Sequence, residues 1–402
     1  MKVLFLTMFP VTDLSENNIY AALLRKFKSE QHQVYVVSPV ERRFGQHTKC
    51  EEVNGIYSLR VRTLNLQKTN FIEKGVATVL FDYQYLRAVK HYLDKECFDL
   101  ILYTTPPITF VKTLRYLKNK NKSLTYLMLK DIFPQNAVDL CMMKKNGILY
   151  KFFRNTEINL YNLSDRIGCM SPANVDYVLK HNSFISRTKV ELCPNAIELT
   201  ERESFKKKKD IREHYQIPQD AVAFIYGGNL GKPQGVHFLL SVLESNKNRH
   251  DVFFVVVGSG TEYSLLERWF FTYKPKNALL RTNLPKKEYD ELLQSCDVGM
   301  IFLDPRFTIP NYPSRLLSYL EYKKPILVAA DKHTDIGRIA EENNYGLSCL
   351  SGDLNHFNQL LDQFVNEPEQ IETKGENGYR FFKKNYTVTH AYEAIVKHMT
   401  LQ

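Results

Sequence analysis

Ala221-Val222-Ala223-Phe224-Ile225-Tyr226-Gly227-Gly228-Asn229-Leu230-Gly231-Lys232 is an apolar run that passes straight into a glycine-rich stretch. An apolar run without alternation reads as a strand buried on both faces, and such strands belong to parallel sheets covered by helices. Glycines at its end let the backbone approach a ligand. A helix beginning near Gln234 would offer an anion free N–H groups and the positive end of its dipole. Val252–257 followed by Gly258-Ser259-Gly260 repeats the pattern.

Working outward, further strand-like runs lie at 279–281, 298–303, 326–329 and 347–350, with helical patterns between them. The first half carries its own set at 3–8, 33–37, 57–61, 100–103, 124–129, 166–170 and 190–192. Amphipathic segments at 18–27, 74–93, 110–117, 148–163 and 173–180 separate most of these. The rhythm breaks between Pro194 and Ala221, where 198–210 contains Lys206-Lys207-Lys208-Lys209, read as a solvated linker face. Two consecutive Rossmann-like α/β domains are expected, 1–194 and 195–385, facing across a cleft. A last helix within about 386–402 is expected to pack back on the first domain.

The 402 residues exceed one compact core, and 44% hydrophobic with 24% charged residues excludes disorder. No apolar run reaches the ~20 residues of a membrane span. The opening apolar run lacks a small-residue cleavage site and reads as a buried strand, so a cytosolic protein is expected. Seven scattered cysteines form no C-x-x-C pair, so neither a zinc ribbon nor a disulfide framework is supported. The net charge of +10 is lopsided: residues 1–194 hold 28 Lys and Arg against 17 Asp and Glu, whereas 195–402 hold 26 against 27. A basic first half points to a polyanion, either nucleic acid or a phosphate-rich membrane surface, or is simply a soluble basic face. No nucleic-acid-binding motif accompanies the charge. The stretches 81–87 and 147–154 mix aromatic with basic residues, as helices lying on anionic lipid do. A core-facing stripe would look the same.

Gly227–Lys232 falls one residue short of an ATPase phosphate loop, and Pro233 stands where Ser or Thr is needed. No paired Asp-x-Asp or H-E-x-x-H is present to hold a metal. A diphosphate would have to be met by amides, Lys232 and Arg315. The last sits in Tyr312-Pro313-Ser314-Arg315, where Pro marks a helix start. In the first half, Lys130-Asp131-Ile132-Phe133-Pro134 ends a buried strand and sets Asp131 at the carboxyl edge of the sheet. There it could serve as a general base or orient a hydroxyl, or be a turn cap. Glu157, mid-helix, reads as structural.

Gly228-Asn229-Leu230-Gly231 with Gln234-Gly235, then Val257-Gly258-Ser259-Gly260, Asn283-Leu284-Pro285, Pro313-Ser314-Arg315 and Lys324-Pro325-Ile326 together resemble the donor domain of family 4 retaining glycosyltransferases. These have the GT-B fold. The nearest branch is fucosaminyltransferase-like, from capsule and O-antigen assembly. Lys130-Asp131-Ile132-Phe133-Pro134 and Pro194-Asn195 resemble its first-domain motifs, so the likeness covers essentially the whole chain.

The resemblance implies a nucleotide-sugar donor, most often a UDP-sugar, in the second domain, a lipid-linked glycan acceptor on the first, no metal and no separate cofactor. Gly228, Asn229, Gly231 and Lys232, with Ser314 and Arg315, would hold the diphosphate. Gly258 would approach the nucleotide, Leu284 would touch the base through its backbone, and Asp131 would face the acceptor or the transferring sugar. The family's two glutamates, eight positions apart, fall here on Pro310 and Ser318. Ser318 could still bond a ribose hydroxyl, and the sugar contact would pass to Asp304 or backbone near Ile309. Thr12–Asn17 replaces the family's first glycine loop. The expected protein is a peripheral enzyme on the inner face of the cell membrane. Alternatives are a binding-only accessory subunit of a partner transferase, a nucleotide-sugar epimerase, and a basic nucleic-acid-binding protein.

Overall fold

The structure is a computed structural model that describes residues 1–11, 14–15, 18–66, 71–199 and 207–399. The chain divides into two compact units, Met1–Glu198 with Thr387–Gln402, and Leu199–Tyr386.

The first unit is an eight-stranded sheet of β1 (Lys2–Leu6), β2 (Gln33–Glu41), β3 (Lys49–Val53), β4 (Ile56–Thr63), β5 (Leu100–Thr104), β6 (Leu124–Leu129), β7 (Arg166–Cys169) and β8 (Val190–Leu192). The strand order is β3-β4-β2-β1-β5-β6-β7-β8. The opening run of the chain is thus a central strand, and β5 and β6 are buried along their whole length, as sheets covered on both faces require. The helices are α1 (Ile19–Ser29), α2 (Phe71–Tyr92), α3 (Val111–Asn121), α4 (Gln135–Asp139), α5 (Ile148–Leu163) and α6 (Pro172–His181). Asn18 starts α1 by accepting from the amides of Tyr20 and Ala21 at 3.0 and 2.9 Å. α3 packs against both α2 and α5. β3 departs from the all-parallel expectation: it runs antiparallel to β4 through the two-residue turn Asn54-Gly55, both at positive φ.

The second unit runs α7 (Lys208–His214), β9 (Val222–Asn229), α8 (Val236–Asn246), β10 (Val252–Ser259), α9 (Tyr263–Tyr273), β11 (Ala278–Arg281), α10 (Lys286–Ser295), β12 (Val298–Phe302), α11 (Arg315–Glu321), β13 (Ile326–Ala330), α12 (Ile336–Glu342), β14 (Gly346–Leu350), α13 (Leu354–Asn366) and α14 (Glu369–Asn385). Its sheet is parallel throughout, in the order β11-β10-β9-β12-β13-β14. Phe224, Val256, Phe302, Leu327, Phe357 and Phe364 centre the core between this sheet and its helices. Last, α15 (Val388–Val396) belongs to the first unit, where Val388, Ala391 and Ile395 join Phe27 and Val34 in the core.

The units part between Glu198 and Leu199, not after Pro194, because the intervening residues are held by the first unit. Asn195 and Ala196 are buried, Ile197 bridges to Thr387, and Glu198 pairs with Arg25 at 2.6 Å. Residues 200–206, including Lys206 of the lysine run, lie outside the described residues. The rest of that run is no free linker: Lys208 begins α7 and pairs with Asp297 at 2.5 Å, beside the buried Arg212, which meets the same carboxylate at 2.5 Å. The seven thiols are free; Cys169, Cys193, Cys296 and Cys349 are buried and Cys50, Cys97 and Cys141 exposed. Among the described residues no helix is long and apolar enough to cross a membrane.

The β9–β10 pairing leaves no room for a side chain at Gly258, where a Cβ would stand 1.8 Å from the Gly228 carbonyl oxygen. Gly258→Ala must therefore push two central strands apart. It should destabilise the protein by about 1–3 kcal/mol or more, read as a lowered thermal or urea midpoint.

Candidate functional site

In an open parallel sheet the ligand crevice lies at the carboxyl ends of the strands, where the strand order reverses. In the second unit that point falls between β9 and β12, since the chain builds outward from β9 through β10 and β11, then crosses to β12. The two strands pair only at Phe224–Val298 and Ile225–Gly299. Beyond those pairs the Tyr319 hydroxyl fills the widening gap. It accepts from the Gly227 amide at 3.1 Å and lies 3.3 Å from the carbonyl oxygens of Ile225 and Met300. Burial pushes its phenol up to about 12, against the nearby Arg315 charge, so it stays a neutral donor.

Arg315, the first residue of α11, reaches into this gap. Its guanidinium lies 4.2 Å from the centre of the Tyr226 ring and donates from Nη2 to Gln234 Oε1 at 2.5 Å. It rests on Gly228, where a Cβ would approach Cζ to 3.5 Å and where φ of +126° needs glycine. Nη1 is buried and finds no hydrogen-bond partner. Among the described residues no carboxylate pairs with Arg315; its surroundings are Tyr226, Tyr289 and Tyr319. The Arg315 side chain is half-buried, with Nη1 enclosed, so at the carboxyl edge of the sheet it is a candidate seat for an anion.

The other expected donor residues distribute around this seat. Gly258 pairs in register with Gly228, and Asn229 with Ser259. Asn229 is exposed, and its carbonyl accepts from the Tyr226 hydroxyl at 2.6 Å. Gly231 lies against the Asn229 amide. The glycine stretch is not the open loop expected: β9 continues through Asn229 because β10 pairs with it that far. Nor does a helix begin at Gln234. A single 3-10 turn, Lys232–Gln234, intervenes, and α8 starts at Val236 after Gly235. A helix dipole therefore does not follow directly on the glycines, and the exposed Lys232 sits on the turn. Ser314 is exposed beside Arg315, Ser318 is half-buried one turn along α11, and Leu284 is half-buried between β11 and α10.

One expectation is corrected. Asp304 is not a free sugar ligand, because Arg306 holds its carboxylate with bonds of 2.8 and 2.7 Å from the guanidinium and 3.0 Å from the amide. Lys324 of the Lys-Pro-Ile motif caps the C-terminus of α10, donating to the carbonyls of Gln294 and Cys296 at 2.8 and 2.6 Å. Sequence reasoning missed Tyr226, Tyr289 and Tyr319, and gave Gln234 no contact with Arg315. Tyr226 and Gln234 flank the quoted glycines, but nothing in their spacing shows that they converge on Arg315.

In the first unit Asp131 follows β6. Thr105, just past the end of β5, clamps this turn: its hydroxyl accepts from the amides of Lys130 and Asp131 at 3.0 and 3.1 Å and donates to the Asp131 carbonyl at 2.9 Å. Enclosure pushes the Asp131 carboxyl up to about 6, although the Asn136 amide donates to both its oxygens at 2.8 Å and the Ile132 amide also assists. Such a carboxyl changes charge near neutrality, as acid–base or hydroxyl-orienting groups do. Glu157 is buried between Arg154, at 2.5 Å, and the Tyr161 hydroxyl, at 2.8 Å, which makes it a structural ion pair. Of Thr12–Asn17 only Leu14 and Ser15 are described; Thr12, Asp13, Glu16 and Asn17 lie outside the described residues. Among the described residues no group of three or more His, Cys, Asp or Glu is placed to hold a metal ion.

Residues 207–381, nearly all of the second unit, match the family described as Glycosyl transferases group 1. Over 298 residues the chain is 24% identical to a probable glycosyltransferase, WbjE, of Pseudomonas aeruginosa, covering 74% of this chain and 73% of that protein. A sucrose-phosphate synthase from Thermosynechococcus elongatus superposes with a TM-score of 0.77 at 14% identity, covering 100% of this chain and 99% of that one. The Anabaena protein HepE, in a crystal structure with UDP, superposes with a TM-score of 0.68 at 12% identity over 100% of both chains. Two α/β units in this order, superposing end to end on these structures, give the chain the GT-B fold, and residues 207–381 of its second unit carry the match to Glycosyl transferases group 1.

Proposed function

We propose that this protein is a retaining glycosyltransferase that moves a sugar from a UDP-sugar to a lipid-diphosphate-linked glycan in capsule- or O-antigen-type polysaccharide assembly. The observation that carries this is Arg315, a carboxylate-free guanidinium at the reversal point of the second sheet. A diphosphate supplies the missing anion. HepE, which shares the fold, was crystallised with UDP, and WbjE carries the name of a glycosyltransferase.

In the reaction the bond from the anomeric carbon to the β-phosphate oxygen breaks, and a bond to an acceptor hydroxyl oxygen forms on the same face. The hydroxyl proton passes to the departing phosphate. Arg315, preorganised by Tyr226 and Gln234, stabilises the charge that grows on that phosphate, with Lys232 and Ser314 closing from the exposed side. Gly258 admits the nucleotide, the Leu284 backbone meets the base, and Ser318 bonds a ribose hydroxyl. Asp131 orients the acceptor. With the charge met this way no divalent metal is needed, and chelation leaves turnover unchanged.

The acceptor's lipid calls for a membrane surface. Ile148, Leu149 and Phe152 at the start of α5 are 89, 56 and 49% exposed, and Met142 just before them 64%. Lys144, Lys145 and Lys151 lie among them, a composition suited to dipping into anionic lipid on the cytoplasmic leaflet.

Isothermal titration of UDP tests the donor seat. Arg315→Ala should weaken binding by about 1.5–3 kcal/mol, the range of a charge-assisted bond. Lys232→Ala, on an exposed cation, should cost roughly 1 kcal/mol or less. Unchanged affinity in Arg315→Ala would place the diphosphate elsewhere. A panel of nucleotide sugars, with product analysis with and without acceptor, then separates transfer from epimerisation and from an inactive accessory subunit.

The pH dependence tests Asp131. Its carboxylate forms only above about 6, so turnover should climb through that pH, and Asp131→Asn should lower turnover more than UDP affinity while removing the climb. The same raised value means the folded state holds this proton more tightly than the unfolded chain. Asp131 therefore favours folding below its unfolded pKa of 3.8, and that contribution is lost as pH rises through about 6.

A further inference from the structure

On the flank of the first unit, α2 and the edge of the sheet enclose a groove of about 800 Å³. Arg62 of β4 and Tyr83, Gln84, Arg87, Lys90 and His91 of α2 contribute to its walls, and among the described residues no Asp or Glu lines it. Neither Arg62 nor Arg87 has an ion-pair partner among the described residues, and both are exposed. Lys90 stands 4.9 Å from the centre of the Tyr116 ring. The side-chain oxygen of Gln84 is buried without a hydrogen-bond partner.

The same helix face continues away from the groove as an apolar stripe. Residues 76, 79, 80, 83, 87 and 90 recur at three- and four-residue spacing, so they share one side of α2. Val76, Val79, Leu80 and Tyr83 are 48, 55, 41 and 56% exposed, an unpartnered apolar strip of the kind that marks a contact surface. Arg87 and Lys90 complete the strip at the groove. Apolar half and cationic half are therefore in line on one helix. A polyanionic glycan or a nucleic acid would satisfy only the cationic half and leave the strip in water. A phospholipid satisfies both, with its phosphate in the groove and an acyl chain along the valines and leucine.

We infer that this groove is a headgroup site for an anionic phospholipid. The inference rests on the membrane-associated reading above and gives it a specific seat, separate from the exposed start of α5, on the same helical layer through α3.

The test is co-sedimentation of the full-length protein with phosphatidylcholine vesicles, with and without phosphatidylglycerol, at low salt. Arg62→Ala with Arg87→Ala should weaken binding to the phosphatidylglycerol vesicles about thirtyfold, at roughly a factor of five for each basic residue near the surface. Lys209→Ala with Lys274→Ala, an equal change of charge in the second unit, should change it by less than about twofold. Val79→Ser with Leu80→Ser should weaken it too, although the charge is untouched. All six residues are exposed, so folding is retained, and circular dichroism verifies it. Equal losses from the groove pair and the control pair overturn the site. So does heparin binding that depends on the groove pair while vesicle binding does not, since the partner would then be a soluble polyanion. UDP titration of the same samples keeps the two claims apart. Absent UDP binding in the wild type sinks the donor reading alone, whereas intact UDP binding with groove-independent sedimentation sinks the groove alone.

Discussion

A guanidinium that no carboxylate among the described residues answers, at the place where two parallel strands separate, organises the second unit. Arg315 is half-buried with its Nη1 enclosed, and an enclosed charged group is costly unless neighbours answer it. The unit answers with the Tyr226 ring on one side and the Gln234 amide oxygen on another, and with Tyr319 bonding the backbone of the strands as they part. The glycines follow from the same arrangement. Gly228 turns its backbone beneath the guanidinium, and Gly258 has no side chain because the Gly228 carbonyl occupies that space. These groups hold the guanidinium in place in advance, the kind of arrangement that stabilises charge without having to reorganise.

The first unit handles charge in a different way. Its excess of Lys and Arg is spread over the surface, with Arg62, Arg87 and Lys90 lining a groove and Lys144, Lys145 and Lys151 among exposed apolar side chains. Its Asp131 carboxyl, held at a strand end by Thr105 and Asn136, is pushed up to about 6 by enclosure. The contrast is one of solvent. Exposed cations act at a distance and are screened by salt, whereas an enclosed carboxyl or guanidinium acts on what touches it.

Much of this was legible in the residues. Apolar runs without alternation, each followed by a helical pattern, announced two parallel sheets, since only strands buried on both faces can be apolar throughout. Asp131 could be placed at a sheet edge because the buried run before it ends at Leu129. Other features were misjudged for identifiable reasons. The antiparallel edge strand β3 is polar, Lys49-Cys50-Glu51-Glu52, and shows no apolar period, although the Asn54-Gly55 turn beside it was a usable signal. The lysine run looked like a linker because exposed charge and a helix N-terminus paired to Asp297 read alike in one dimension. Asp304 looked available as a sugar ligand, but the backbone curls so that Arg306 closes on it.

Periodicity and glycine placement, which report local conformation and burial, sufficed for the fold class, for the approximate division of the chain and for the edge of each sheet that carries chemistry. Convergence needed the third dimension. That Tyr226 and Gln234 meet the guanidinium of Arg315, some eighty to ninety positions further along the sequence, follows from strand order and register, and long-range pairing leaves no period in the chain. Whether a charged side chain is paired is likewise invisible in composition, because pairing depends on distances of a few ångströms that only the packed structure sets.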